Sequence, residues 1–231
     1  MNKVEEIFLF YKNKIEQNEY ELNSKLPSKE EIAKRFNADI KEVDSSLEKL
    51  MKIGYIKENK NNFLVVFKRV FKKIEKVESF TNDVLTTGQI PGSLILEYHL
   101  FRAVTLPVLQ EKMQLGDNDL IHYMVRVRTI NDLPVALSYN YISPKYLKSV
   151  NIETMNKSIY ETLISHGATF TRIQGEMTAH IPTEEQEENL KIKNEALLKD
   201  STYLYDQEEC VIEYDEVYYV SSRYGYFYTS I

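Results

Sequence analysis

Residues 26–58 read LPSKEEIAKRFNADIKEVDSSLEKLMKIGYIKE and hold two helix-start signals in close succession. Ser28 is followed three residues on by Glu31, and Asp39 by Glu42. Each pair can satisfy free backbone amides reciprocally at a helix N-terminus. Two capped starts this close force a tight corner at Asn37-Ala38. The first helix turns Ile32, Ala33 and Phe36 inward, and the second lines Ile40, Val43, Leu47, Leu50 and Met51 on one face. Gly54 ends the second helix. Ahead of them, Val4, Ile7, Phe8, Tyr11 and Ile15 form the face of another helix. Behind them, Tyr55–Lys57 and Asn62–Val66 read as strands joined by the polar turn Glu58–Asn61. Three helices and a small hairpin predict a winged helix-turn-helix over residues 1–66.

Residues 67–78, FKRVFKKIEKVE, contain neither Gly nor Pro and read as a basic linker, its charge either a solvated face or a flank to DNA. From Ser79 onward helices and strands alternate. Ser79 opens a short helix closed by Gly88; Ser93–Val104 is strand-like and Pro107–Leu115 helical. Leu120–Ile130 and Pro134–Ile142 flank the hairpin turn Asn131-Asp132. Ser158–Ser165 is a helix, Phe170–Ile181 a strand, and Thr183–Leu190 a helix with Thr183 and Gln186 in capping positions. Tyr203–Tyr205 and Val211–Tyr219 are strands, and Arg223–Ser230 is a tail. Residues 79–231 therefore predict an α+β domain with a mainly antiparallel sheet.

Composition narrows the function. A net charge of -6 and a pI near 5.4 give no global basic footprint, so any contact with DNA must be local. The single cysteine, Cys210, excludes an internal disulfide framework and suits a reducing cytosol. No apolar run approaches the roughly 20 residues that span a bilayer, so a cytoplasmic chain with no membrane contact is expected. Most of the 17 tyrosines, crowded toward the end, read as half-buried sheet residues. The four histidines show no metal-ligand spacing, Cys210 lies among acidic residues that dull a thiolate, and 7 glycines make no phosphate loop. No catalytic role, cofactor or metal is expected.

LPSKEEIAKRF and VDSSLEKLMKIGYI resemble the winged helix of GntR-type bacterial transcription regulators. The later motifs are Ser79-Phe-Thr, Arg126-Val-Arg128 before Asn131-Asp132-Leu133-Pro134-Val135-Ala136, Ser158-Ile-Tyr160, Glu176, Ile212-Glu213 and Arg223-Tyr224. In that order they resemble the effector-binding UTRA domain of the HutC subfamily, which is similar in fold to chorismate lyase. The resemblance implies a homodimeric repressor that binds an inverted-repeat operator and responds to a small metabolite.

On the DNA side, the positions where that family places arginines hold Glu30, Ile40 and Asp44, and the wing reads Asn59-Lys60-Asn61-Asn62. Basic and acidic residues match in number across residues 1–66, and Glu42, Asp44 and Glu48 crowd the presumed reading face. Ser28, Lys29, Arg35, Lys41, Ser45, Lys49, Lys57 and Lys60 remain as expected contacts to operator DNA. The alternative is a ligand-sensing dimer whose degenerate DNA-reading head acts through a protein partner.

Arg126 and Arg128 alternate on one strand and so share a face. Side by side, two guanidiniums need either an anion between them or acids beside them on an exposed sheet. The resemblance implies the first: this pair grips a small anionic effector, with Thr81 and Ser158 beside it and Tyr160, Glu213 and Tyr219 facing the rest. Ser138 stands where the family commonly has a glutamate, and it reaches less far toward a ligand. A phosphorylated sugar is the first expectation for the effector and a carboxylate the second.

Overall fold

A computed structural model describes residues 2–60, 62–73, 78–147 and 158–228. Asn61 of the expected wing turn and residues 74–77 of the expected linker lie outside them.

The amino-terminal part has the expected order of elements. Helix α1 spans Lys3–Glu16 and buries Ile7, Tyr11 and Ile15. Helices α2 (Lys29–Phe36) and α3 (Ile40–Lys52) both start with the reciprocal capping pairs, Ser28 with Glu31 and Asp39 with Glu42. Asn37 makes the corner in the left-handed conformation, φ 48°, which asparagine tolerates better than most residues. Val43, Leu47 and Leu50 face inward as expected, but Ile40 is 43% exposed. It is the first residue of α3, one turn short of the packed core. The unexpected inward residue is Ser46, whose hydroxyl donates to the carbonyls of Val4 (2.9 Å) and Glu42 (2.7 Å). Strands β1 (Ile56–Asn59) and β2 (Asn62–Val65) pair antiparallel, Ile56 opposite Val65.

The expected linker is not a solvated tether. Phe67 is buried, and Val70–Lys73 form strand β3, paired in parallel with the carboxy-terminal strand β10 (Tyr224–Phe227). The partner of β3 lies at the far end of the chain, so no local pattern could announce it.

The remaining strands are β4 (Pro91–Arg102), β5 (Leu120–Ile130), β6 (Leu133–Ile142), β7 (Arg172–His180), β8 (Leu197–Tyr205) and β9 (Val211–Val220). They form one antiparallel sheet in the order β4-β5-β6-β9-β8-β7. Strand β8 is longer than the Tyr203–Tyr205 read from sequence. Its polar middle, Lys199 to Thr202, is held by pairing with β7 on one side and β9 on the other. Asn131 (φ 49°) and Asp132 (φ 65°) make the tight β5–β6 turn. Helices α4 (Phe80–Leu85), α5 (Pro107–Lys112), α6 (Ile159–Ser165) and α7 (Glu184–Leu190) complete the fold. Val125, Val127, Leu137 and Tyr218 pack with Leu190 of α7 on one face of the sheet. The opposite face of β5, β6 and β9 is polar at its centre.

The two parts share an apolar core that runs from Ile7, Leu47 and Leu50 through Tyr55 and Phe67 to Leu133, Val135, Tyr219 and Tyr224. Tyr55 stacks on Phe67 with centroids 4.7 Å apart. Asn18 and Arg69 exchange two hydrogen bonds, and so do Gln89 and Lys68. No helix among the described residues is long and apolar enough to cross a membrane.

Candidate functional site

Strand register decides which side chains meet on the polar sheet face. Arg126 lies opposite Ser138, Asn140 opposite Asp215, and Ala136 opposite Tyr219. Because alternate residues share a face, Arg126 and Arg128 of β5, Ser138 and Asn140 of β6, and Glu213, Asp215, Val217 and Tyr219 of β9 form one patch. Helix α4 brings Phe80 and Thr81 over it, and α6 brings Ser158, Ile159 and Tyr160. Together they enclose a cavity of about 40 Å³ that Lys72 and Glu78 also line. All eight residues expected around an effector, Thr81, Arg126, Arg128, Ser138, Ser158, Tyr160, Glu213 and Tyr219, are in its wall. The arginine pair does not lie on an open sheet face: Arg126 is fully buried.

Three neighbouring strands are tied by one polar chain. Arg126 donates from Nε (3.3 Å) and Nη2 (3.1 Å) to Asn140 Oδ1, and Asn140 Nδ2 donates to Glu213 Oε1 at 2.8 Å. Ser138 Oγ also donates to Asn140 Oδ1, at 3.1 Å. Asn140 thus stands between the arginine and the carboxylate. The other oxygen, Glu213 Oε2, is buried and accepts no hydrogen bond. Burial and the neighbouring Asp215 push the Glu213 carboxyl up to about 8, against the pull of Arg126. Burial lifts Asp215 to about 6, against the hydrogen bond it accepts from Thr202. Burial and Arg128 lower the Arg126 guanidinium well below its ordinary value. Arg128 is lowered by burial too, and stands 5.5 Å over the Phe80 ring with no ion pair to any described residue. Such a guanidinium favours an anion beside it.

Other wall residues have structural work as well. Ser158 caps α6, accepting from the Glu161 amide at 3.3 Å. Tyr219 stacks on Tyr224, centroids 4.2 Å apart, and Tyr224 donates to Asp83 at 2.6 Å. Arg223, part of the terminal motif, lies away from the cavity wall. Its Nη1 donates to the carbonyls of Pro134 (2.5 Å) and Leu190 (2.9 Å), tying β6 to α7.

Sequence reading missed Asn140, Asp215 and Lys72. The first two carry a legible signal, since each lies two residues beyond an expected site residue on the same strand. Lys72 carries none, because β3 reaches the cavity only through its pairing with β10. The loss of reach at Ser138 is offset from the next strand, where Asp215 and Glu213 supply carboxylates.

On the amino-terminal unit the expected DNA contacts separate into two groups. Lys41, Ser45, Lys57 and Lys60 are exposed. The others are engaged: Ser28 caps α2, Lys29 pairs with Asp44 at 2.6 Å, Lys49 pairs with Glu5 of α1 at 2.6 Å, and Arg35 lies 4.3 Å over the Phe10 ring. The acidic face is softened in the same way. Glu42 is spent on its cap and Asp44 on Lys29, leaving Glu48 exposed. Elsewhere, burial and Asp206 push the Cys210 thiol up, as expected for an unreactive cysteine.

Residues 87–225 match the UTRA domain family. The chain is 27% identical to the HTH-type transcriptional repressor NagR of Bacillus subtilis, over 98% of this chain and 96% of that protein. It is 22% identical to the regulator GmuR of the same organism, over 69% and 68%. Among solved structures, PhnF from Mycobacterium smegmatis superposes with a TM-score of 0.65 at 17% identity, covering 97% of this chain and 99% of that one. YydK from Bacillus subtilis gives 0.59 at 18% identity over the whole of both chains. The curated relatives are transcriptional regulators, not enzymes. With the domain matched over more than half its length, the chain belongs to the UTRA-domain family of GntR-type, metabolite-responsive transcriptional regulators.

Proposed function

We propose that this protein is a cytoplasmic, homodimeric repressor whose grip on operator DNA is set by a small anionic effector. In this reading residues 1–66 are a winged helix-turn-helix head, 67–78 link it to the sensor, and 79–231 bind the effector and dimerise. The observation that carries it is the meeting of Arg126 and Arg128 with the Thr81 and Ser158 hydroxyls around one cavity, with no acid paired to Arg128 among the described residues. An arginine fork matches phosphate or carboxylate geometry.

The cavity constrains the ligand. About 40 Å³ holds only a few water molecules, well short of the roughly 300–1,000 Å³ of most small-molecule pockets. A phosphorylated sugar requires α4 and α6 to draw back from the sheet, whereas a compact anion needs less movement. Because β3 both lines the cavity and follows the head directly, that movement has a short route to the DNA-binding unit.

DNA from upstream of the protein's own gene tests this in a gel-shift assay at low salt, followed by titration with phosphorylated and carboxylated metabolites. A shift that a phosphomonoester alters supports the reading. No shift under any condition rejects the repressor and leaves a sensor acting through a protein partner. Replacing Arg126 and Arg128 with alanine is expected to abolish the ligand effect; full response in that variant rejects the site.

A further inference from the structure

A second cavity lies in the amino-terminal unit, between Tyr11 of α1 and Glu31 and Arg35 of α2. The loop joining the two helices closes it with Tyr20, Lys25, Leu26 and Pro27. It encloses about 440 Å³, within the roughly 300–1,000 Å³ of most small-molecule pockets. The cavity beneath α4 and α6 has about 40 Å³, and no residue is common to the two walls.

Tyr11 is fully buried in this wall, yet its hydroxyl has no hydrogen-bond partner among the described residues. A buried hydroxyl left unpaired is costly, and an orphan of this kind calls for a missing group. Burial pushes the phenol up to about 12, so at neutral pH the oxygen carries its proton and is a donor without an acceptor. The charges nearby have the sign that holds an anion. Neither Lys25 nor Arg35 makes an ion pair with a described acid. The Arg35 guanidinium stands 4.3 Å over the Phe10 ring, and a stacked guanidinium keeps its in-plane N–H fork for a planar carboxylate. Glu31 spends Oε2 on the Ser28 amide at 2.8 Å. Two cations against that one carboxylate leave a single positive charge in excess. Leu26, Pro27 and the half-buried Tyr20 ring, 6.4 Å from Tyr11 between centroids, give the cavity an apolar side.

We propose that this cavity is a second ligand site, for an amphipathic monocarboxylate. The carboxylate accepts from the Tyr11 hydroxyl, Arg35 and Lys25, and the apolar body lies against Leu26, Pro27 and Tyr20. One excess positive charge suits a monoanion better than a phosphate dianion, and the apolar side sets the ligand apart from a bare inorganic anion. The site stands independently of the effector cavity. Its occupant bridges α1, the loop and α2, and touches Glu31, which caps α2 beside Lys29.

Three probes test it by ligand-observed NMR titration of the full-length protein at neutral pH: 3-phenylpropionate, 3-phenylpropionamide and acetate. The first two share a body and differ in charge; acetate keeps the charge and lacks the body. 3-Phenylpropionate is expected to bind at least about tenfold more tightly than either, the strength of one hydrogen bond to a charged group. Tyr11→Phe removes only the hydroxyl. It is expected to weaken 3-phenylpropionate roughly tenfold while melting no lower than wild type, because the hydroxyl has no protein partner to lose. Arg35→Gln is expected to bring the acid and the amide toward equal affinity. Equal affinity of those two in the wild type overturns the carboxylate site, as does failure of 3-phenylpropionate to bind at millimolar concentration. Binding that neither substitution weakens places the acid elsewhere on the protein and overturns the assignment. A clear drop in the melting temperature of ligand-free Tyr11→Phe shows that the hydroxyl serves the fold, and overturns its role as donor to a ligand.

Discussion

Asn131 donates its side-chain amide to the Val66 carbonyl across 2.6 Å. Asn131 sits in the turn joining the two strands that carry Arg126, Arg128, Ser138 and Asn140; Val66 directly follows the amino-terminal hairpin. The six-stranded sheet therefore touches the amino-terminal unit at a point only a few residues from the cavity beneath α4 and α6. Gly54, with φ 76°, lies against Leu133 beside it.

Asn131→Gly keeps the positive φ of 49° accessible and deletes the side-chain hydrogen bonds to the Val66 carbonyl, the Ile90 amide and Gln89. Loss of roughly 1–2 kcal/mol is expected in chemical denaturation, together with a weakened effect of phosphate on DNA binding. Unchanged stability and unchanged response would show that this contact couples nothing.

Arg128→Ala removes a half-buried cation that forms no ion pair with any described acid, although Glu213 and Asp215 lie near enough to attract it. Binding of inorganic phosphate should fall at least tenfold, while the unliganded protein melts no lower than wild type, because an unpaired charge has been taken out of a desolvated site. A large drop in melting temperature without ligand would mean that Arg128 is a structural residue.

Glu213 gives a pH dependence of known sign. Its folded value, about 8, lies above the ordinary 4.5, so the folded state binds the proton more tightly. The stability this contributes is fully present below about pH 4.5 and is lost as pH rises through about 8. Arg126, Arg128, Asp215, Asn140 and Tyr160 are the polar groups around it. Glu213→Gln should flatten the decline, so that the variant gains on wild type between pH 5 and 8. Parallel pH–stability curves for the two proteins would rule out this assignment.

Asp44→Asn releases Lys29 from its ion pair. The pair is exposed, so stability should change by only about 0–1 kcal/mol. DNA affinity should rise at low salt, with a salt slope steeper by about one phosphate contact. A variant that binds DNA no better than wild type would place Lys29 off the duplex.

Local order was legible because it rests on short-range rules. The caps at Ser28, Asp39, Ser79, Ser158 and Thr183 each act within three residues, and all five start a helix. The Asn131-Asp132 turn and the shared face of Arg126 and Arg128 follow from turn chemistry and strand periodicity in the same way. Resemblance to a family added which of these residues gather.

Tertiary structure decided the rest. Strand β3 exists because β10 lies beside it, and only that pairing carries Lys72 to the cavity. Asn140 and Asp215 face each other because β6 and β9 are neighbours in the sheet although far apart in sequence. The pairing of Lys29 with Asp44, the orphaned oxygen of Glu213 and the small size of the cavity depend on packing distances that no spacing along the chain encodes. Short-range backbone rules fixed most elements of this protein; long-range pairing added β3 and extended β8, and burial set the charges that the elements bring together.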